Sequence, residues 1–214
     1  WRMALAHLIP LYGEEETLRL PLALVHESGE RNVRLIARLV ERNLNTPPAS
    51  SAGRLFDAVA ALCGVPGSRR TTYEGQAAVE LELAAGGAAS CGYPFRLRSE
   101  SEGWVVETRG ILSAVVEDLL DGRPGGEVSS RFHRTMAEVV VAGCERVRDA
   151  GGPSAVALSG GTFQNMLLLG QVIELLRVKG FEAYTHRRAP ANDGGLALGQ
   201  AILADRAYRK EADN

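Results

Sequence analysis

The sequence has little of what marks most specialised classes of protein. Its 214 residues include only 3 cysteines, Cys63, Cys91 and Cys144, which lie far apart and form no C-x-x-C pair. This spacing predicts neither a zinc site nor a dithiol redox centre, and it favours a reducing, cytoplasmic setting. With 24 basic and 26 acidic residues the formal net charge is −2, so no basic excess is present for DNA, RNA or anionic lipid. We therefore expect no nucleic-acid partner and no membrane partner.

A membrane span and a secretory leader are not predicted either. The longest stretch without a charge, 151–173, is long enough to cross a bilayer, but it is interrupted by five glycines and by Pro153, Gln164 and Asn165. It is more typical of a buried strand, a turn and a helix. The chain opens Trp1-Arg2-Met3 without a basic and then apolar leader. Because no initiator methionine stands at position 1, we expect a piece of a longer polypeptide.

What the sequence does contain is typical of a globular protein, with 45% apolar and 23% charged residues. Apolar spacing predicts that residues 1–150 are mostly helical, with a β-hairpin near 93–108 where the pattern alternates. Residues 151–214 are predicted to form a βαβα unit. The predicted helices are 30–44, 51–64, 75–85, 111–120, 128–150, 163–179 and 194–208, and the predicted parallel strands are 155–158 and 180–184.

Two glycine turns are the first candidates for chemistry. The strand 155–158 runs into a turn that contains Gly160 and Gly161, where the missing Cβ atoms permit a ligand to approach the backbone. The turn matches neither G-x-G-x-x-G nor a Walker A loop, and a tight strand–helix connection is its commoner use. Asn165 can hydrogen-bond a sugar hydroxyl or cap the following helix. In the second turn, 190–195, Asp193 is either an N-cap carboxylate or a metal or phosphate-side ligand.

Two further candidates lie in the helical part. Asp57 stands inside the apolar helical run 55–60, where an aspartate is unfavourable unless its carboxylate has a partner. A ligand-facing role and a structural role are equally consistent with this position. Gly75 begins the next predicted helix and can face the same cleft. The four histidines form no H-x-x-x-H or H-E-x-x-H pair, and no serine stands in G-x-S-x-G, so a histidine metal site and a hydrolase nucleophile are not predicted.

Five segments, taken together and in this order, resemble the HypF family of hydrogenase maturation carbamoyltransferases. The resemblance covers essentially all of 1–214 and is to the C-terminal portion of the domain that is similar to threonylcarbamoyl transferases. It implies an α/β fold of the actin/hexokinase/Hsp70 (ASKHA) nucleotide-binding type, represented by its C-terminal half with helical insertions. The segments are Ser50–Leu62, Thr72–Ala78, Arg131-Phe132-His133, Ala157–Asn165 and Thr185–Gln200.

The resemblance also implies an activity. ATP and carbamoyl phosphate give carbamoyl adenylate, and the carbamoyl group passes to the C-terminal cysteine of a HypE-like acceptor, where it becomes the source of the cyanide ligands of [NiFe] hydrogenase. It places Asp193 on the aspartate that binds a divalent metal, zinc or iron, whose remaining ligands lie outside this chain. It assigns no catalytic residue. The positions expected to hold the nucleotide are Asp57, Gly75, Gly160, Gly161 and Asn165.

Two expectations and three alternatives accompany this interpretation. We expect Asp57, Gly75, Asn165 and Asp193 to converge on one cleft, and we expect the 214 residues alone to be inactive. O-carbamoyl transfer to a small-molecule hydroxyl and an inactive nucleotide-binding or partner-docking fragment are alternatives. A sugar kinase of the same fold is a further one, since its catalytic aspartate would lie in an upstream lobe.

Overall fold

The computed structural model of the protein describes residues 1–101 and 103–212, and it consists of two compact units. The first unit is Trp1–Val139, and the second extends from Val140 to the end of the chain. Over the described ranges, none of the helices combines the length and the apolar character that crossing a bilayer requires. Each unit is built around its own buried residues.

The first unit is almost entirely helical. Helix α3 begins seven residues before the predicted start at 30 and contains a kink at Gly29, whose φ of 72° is not helical. The apolar spacing predicts only the part after this kink. Helices α1 and α2 were not predicted, because α1 is apolar on most sides and shows little periodicity. The helices are α1 Arg2–Tyr12, α2 Glu14–Arg19, α3 Ala23–Glu41, α4 Ala52–Leu62, α5 Gln76–Ala84, α6 Thr108–Leu120 and α7 Gly125–Asp149, which runs on into the second unit.

Helix α4 lies at the centre of the first unit. Its apolar residues are buried, and Phe56 meets Phe132 of α7 edge to face with ring centroids 4.9 Å apart. Leu5 and Leu8 of α1 are fully buried in the same unit. Because α4 is covered on most sides, Asp57, in the middle of this helix, is half-buried.

A hairpin completes the first unit. Strand β1 is Arg96–Glu100 and strand β2 is Gly103–Glu107, and they pair antiparallel with Arg96 opposite Glu107. The hairpin therefore lies inside the range 93–108 in which the sequence alternates.

The second unit has a βαβα order. Strand β3, Ala155–Leu158, pairs in parallel with β4, Glu182–Thr185, so that Leu158 is opposite Thr185. Helix α8, Met166–Val178, connects them and buries Leu168, Val172 and Leu176. Helix α9, Leu196–Ala212, follows a short 3₁₀ turn. Most large apolar side chains of α9 are exposed, including Leu196, Leu198, Ile202, Leu203 and Tyr208.

Candidate functional site at the carboxyl edge of the parallel strands

The two glycine turns of the second unit meet at one edge of its sheet. Strands β3 and β4 are parallel, so their carboxyl ends point the same way and the turns that follow them start side by side. Two long-range hydrogen bonds join the turns. His186 Nε2 lies 2.9 Å from Ser159 Oγ, and the Gly160 N–H donates to the Ala191 carbonyl at 2.8 Å. The structure thus brings the predicted Gly160–Gly161 turn next to the loop that contains Asp193.

The two glycines of the first turn differ in what they do for the fold. Gly160 has φ 103° and ψ 158°, a conformation that side-chain-bearing residues rarely adopt, so the backbone itself requires glycine there. Gly161 has no left-handed φ, and a Cβ built on it would meet no atom within 4 Å. Neither backbone conformation nor packing explains glycine at 161. Open space in front of Gly161 is what close approach of a ligand to the backbone requires.

Asn165 caps helix α8. Its Oδ1 accepts a hydrogen bond from the Leu168 N–H at 2.8 Å, which satisfies one of the free donors of the first helical turn. The capping alternative from the sequence is therefore present in the structure. Contact with a sugar hydroxyl remains a separate prediction for the same side chain.

Asp193 is not the cap of its turn. Asn192 holds that position, since its Oδ1 accepts from the Gly194 N–H at 3.1 Å, and Asp193 is the first residue of the 3₁₀ turn that follows. The N-cap alternative for Asp193 is thus wrong for this turn. The Asp193 side chain is exposed, and its carboxylate contacts no cationic or hydrogen-bonding side chain among the described residues.

Asp193 does not form a metal site with its neighbours. Within residues 1–101 and 103–212, no three side chains of the histidine, cysteine, aspartate and glutamate types are grouped closely enough to hold a metal ion. An exposed carboxylate without a partner suits a hard or borderline cation, but one ligand does not make up a coordination shell.

The two predicted site residues of the first unit are associated with consecutive helices that pack together: Asp57 lies on α4, and Gly75 directly precedes α5. The Asp57 side chain is 26% exposed, and its carboxylate forms an ion pair with Arg54 at 3.0 Å. Burial raises the pKa of Asp57, and the Arg54 charge opposes that shift. Gly75 has φ 78° and precedes α5, so the backbone explains this glycine. Convergence of Asp57 and Gly75 with Asn165 and Asp193, which belong to the second unit, remains a prediction.

The Arg131-Phe132-His133 segment has a structural role in the first unit. The Arg131 guanidinium pairs with Asp118 and lies over the Tyr93 ring at 4.3 Å from its centroid. Phe132 is in the core, and His133 is fully buried with Nδ1 2.8 Å from the Ser129 carbonyl oxygen. Burial lowers the pKa of His133. This segment therefore contributes to the packing of the first unit.

Asp118 is the centre of a buried polar network that the sequence analysis missed. Its carboxylate accepts hydrogen bonds from the Tyr93 hydroxyl at 2.8 Å, from Arg123 Nε at 2.8 Å and from Arg131. Although burial alone would raise the pKa of Asp118, the hydrogen bonds from Tyr93 and Arg131 outweigh it and lower that pKa. The Ser159–His186 contact was missed as well. The available signal was that Ser159 directly follows the predicted strand 155–158 and that His186 lies two residues after the predicted strand 180–184.

These features first indicate the general class of protein to which the chain belongs. A parallel strand, a glycine turn, a capped helix and a second turn at the same sheet edge are the ligand-binding arrangement of α/β nucleotide-binding proteins. A family model described as "Carbamoyltransferase, Kae1-like Domain, second subdomain" matches residues 1–200. The chain belongs to this family, that of the HypF carbamoyltransferases, as the five segments predicted. The expected ASKHA-type α/β fold class is likewise confirmed.

Curated relatives and solved structures agree with this assignment. The chain is 36% identical over 211 residues to a "Carbamoyltransferase HypF homolog" of Cupriavidus necator, covering 96% of this chain and 52% of that protein. It is 35% identical to the "Carbamoyltransferase HypF" of Rhizobium leguminosarum bv. viciae, covering 99% of this chain and 26% of that protein. A crystal structure of full-length HypF in a phosphate- and nucleotide-bound form superposes with a TM-score of 0.82 at 34% identity, covering 94% of this chain and 26% of that one.

The chain thus spans between about a quarter and about half the length of these relatives. A second HypF structure, from T. kodakarensis, gives a TM-score of 0.73 at 25% identity, with 94% of this chain and 26% of that chain covered.

Proposed function

We propose that this chain acts within a longer HypF polypeptide and supplies part of the nucleotide site for ATP-dependent carbamoyl transfer. Support comes from family membership and from the relative whose structure is described as phosphate- and nucleotide-bound. The observation that carries the proposal within this chain is Gly161, a glycine that neither backbone nor packing requires, at the carboxyl edge of two parallel strands. A nucleotide approaching that turn would explain it.

The proposed reaction has two steps. In the first, water releases inorganic phosphate from carbamoyl phosphate to leave carbamate, and a carbamate oxygen attacks the α-phosphorus of ATP, so that pyrophosphate leaves and carbamoyl adenylate forms. A thiol sulfur then attacks the carbamoyl carbon, the bond from that carbon to the AMP phosphate oxygen breaks, AMP leaves, and the thiol proton passes to solvent or to a base. The proposed acceptor is the C-terminal cysteine of a HypE-like protein in hydrogenase maturation.

Each predicted residue has a chemically suitable part in this proposal. Gly160 and Gly161 admit the nucleotide to the backbone, and Gly75 does so on the first unit. The Asp57 carboxylate and the Asn165 amide suit ribose hydroxyls. Asp193 would contribute one carboxylate toward a divalent zinc or iron ion, which when bound polarises an acyl-phosphate group. The other ligands of that ion would come from outside the described residues.

Asp193→Asn tests this assignment in the full-length polypeptide. The substitution keeps the side-chain size but removes the charge, and the turn keeps its Asn192 cap. We expect an unchanged melting temperature, a lower content of bound metal and slower ATP-dependent transfer from carbamoyl phosphate to a HypE-like thiol. Asp205→Asn is the matched control, since Asp205 lies on α9 and pairs with Arg209.

Three experimental outcomes would each contradict a different part of the proposed function. Normal metal content and normal turnover of Asp193→Asn would remove the metal assignment. Transfer to a small-molecule hydroxyl but not to the thiol would favour the O-carbamoyltransferase alternative. Nucleotide binding without any transfer by the unsubstituted polypeptide would leave only a binding role.

A further inference from the structure

A short arch, residues 186–191, spans the carboxyl edge of the sheet and is fixed at both ends. At its start, His186 Nε2 lies 2.9 Å from Ser159 Oγ, and at its end the Ala191 carbonyl accepts from the Gly160 N–H at 2.8 Å. Both anchors belong to the turn that precedes Gly161. The ends of the arch are therefore held beside the proposed nucleotide turn.

The arch carries two arginines without an intramolecular counter-ion. Neither Arg187 nor Arg188 lies within ion-pair distance of a carboxylate in the described part of the chain, and both are exposed. Arg34, by contrast, contacts three glutamates. The arginines line a groove of about 610 Å³ that extends along the end of β4. In the sequence, Arg187 and Arg188 are the only arginine or lysine residues in 159–165 and 186–195.

Two adjacent guanidinium groups of this kind fit an oxyanion. The planar fork of arginine donates two parallel hydrogen bonds to a carboxylate or to a phosphate. Exposure of the groove favours a ligand that arrives from solvent as part of a larger molecule over a nucleotide enclosed in its site.

A C-terminal cysteine acceptor presents such an oxyanion. Its thiol and its terminal carboxylate belong to one residue, so a carboxylate must lie within roughly 5 Å of the sulfur, as ordinary bond lengths dictate. That negative charge would approach an anionic adenylate and be repelled unless a cation neutralises it. A transferase for a terminal cysteine therefore needs positive charge close to, but separate from, its nucleotide turn.

We infer that Arg187 and Arg188 bind the terminal carboxylate of the acceptor cysteine and so restrict the reaction to a chain end. The acceptor in this inference rests on the proposed function, whereas the oxyanion site itself does not. His186 is a positioning residue, because it fixes the arch to Ser159 and is not itself required to touch the acceptor.

The test measures binding of two short peptides to the full-length polypeptide loaded with ATP. Both end in cysteine, one with a free carboxylate and one with a carboxamide. We expect the free acid to bind about ten- to a hundredfold more tightly, the range for a hydrogen bond to a charged group. In the double variant Arg187→Gln/Arg188→Gln the two peptides should bind equally. Arg177→Gln, an exposed arginine at the end of α8, should keep the full preference.

The arms of the experiment separate the possible sources of the anion. Equal binding of acid and amide by the unsubstituted protein, or no binding of either, would overturn the inference. Inorganic phosphate that binds only while both arginines are present, without any acid preference, would assign the groove to a phosphate and also overturn it. Carbamoyl transfer is assayed in parallel. Normal transfer without acid preference would refute the carboxylate site alone, and absence of transfer despite acid preference would refute the proposed function alone.

Discussion

Gly161→Ala separates a ligand-binding glycine from a structural one. A Cβ at 161 would meet no atom within 4 Å and the residue lacks a left-handed φ, so the fold accepts alanine. Where the native backbone conformation suits alanine, replacing glycine by alanine stabilises the folded state by about 0.4–1 kcal/mol, because the unfolded chain loses conformational entropy. For a protein of this size we expect the melting temperature to rise by about 1–4 °C. The added methyl group would occupy the space in front of the turn.

The same substitution should weaken nucleotide binding. Overpacking of a filled site costs about 1–3 kcal/mol, which corresponds to roughly five- to 150-fold in affinity. Isothermal titration of ATP into the full-length polypeptide measures this directly, and circular dichroism gives the melting temperature. Gly161→Ala should therefore be more stable and bind less ATP.

Two other glycines provide matched controls. Gly160→Ala should lose about 1–3 kcal/mol of stability, because φ 103° is unfavourable for alanine. Gly170→Ala, inside α8 with no atom within 4 Å of its added Cβ, should gain up to about 1 kcal/mol from helix propensity and keep its ATP affinity. Unchanged ATP affinity of Gly161→Ala, or a loss of its stability, would refute the reasoning.

Further predictions concern the cap, the buried network and pH. Asn165→Asp keeps the oxygen that caps α8 and should be stable, whereas Asn165→Ala should lose about 1 kcal/mol. If the Asn165 NH₂ group donates a hydrogen bond to a ribose oxygen, titration will show weaker ATP binding by Asn165→Asp, because an ionised carboxylate cannot donate. Equal binding would leave only the cap. Tyr93→Phe removes a hydrogen bond to ionised Asp118 and should lower the free energy of unfolding, measured in urea near pH 7, by about 1–3 kcal/mol. The loss should be smaller near pH 3, where protonation of Asp118 begins to weaken the same bond in the unsubstituted protein. An equal loss at both pH values would contradict the argument that the charge of Asp118 strengthens the bond. Burial lowers the pKa of His133, so protonation of this side chain in the unfolded chain favours unfolding as the pH falls through about 6.5, and has no effect above that value. His133→Gln should therefore flatten the decline of the unfolding free energy below pH 6.5. An unchanged slope would exclude His133 as a source of that decline.

The sequence was sufficient for features that depend on neighbouring residues. The run Ala155–Leu158 is short, apolar and followed by Gly160 and Gly161, and the strand has these bounds in the structure. The alternation near 93–108 likewise contains the hairpin β1–β2. Strands and turns of this kind can be predicted from the sequence because they depend on the residue types of a few consecutive positions. The five ordered segments determined the family for the same reason, since each is a local string of residues.

Only the tertiary structure decided which side chains meet. Ser159 and His186 are 27 positions apart and come together because the parallel register places Leu158 opposite Thr185. Arg131 belongs to one of the five segments that resemble the family, and only the structure shows that it pairs with Asp118. Asn192, one residue before the predicted Asp193, holds the cap of the second turn. Such pairings depend on strand register, helix packing and local turn geometry, which are set by the folded core and leave no periodic trace in the sequence.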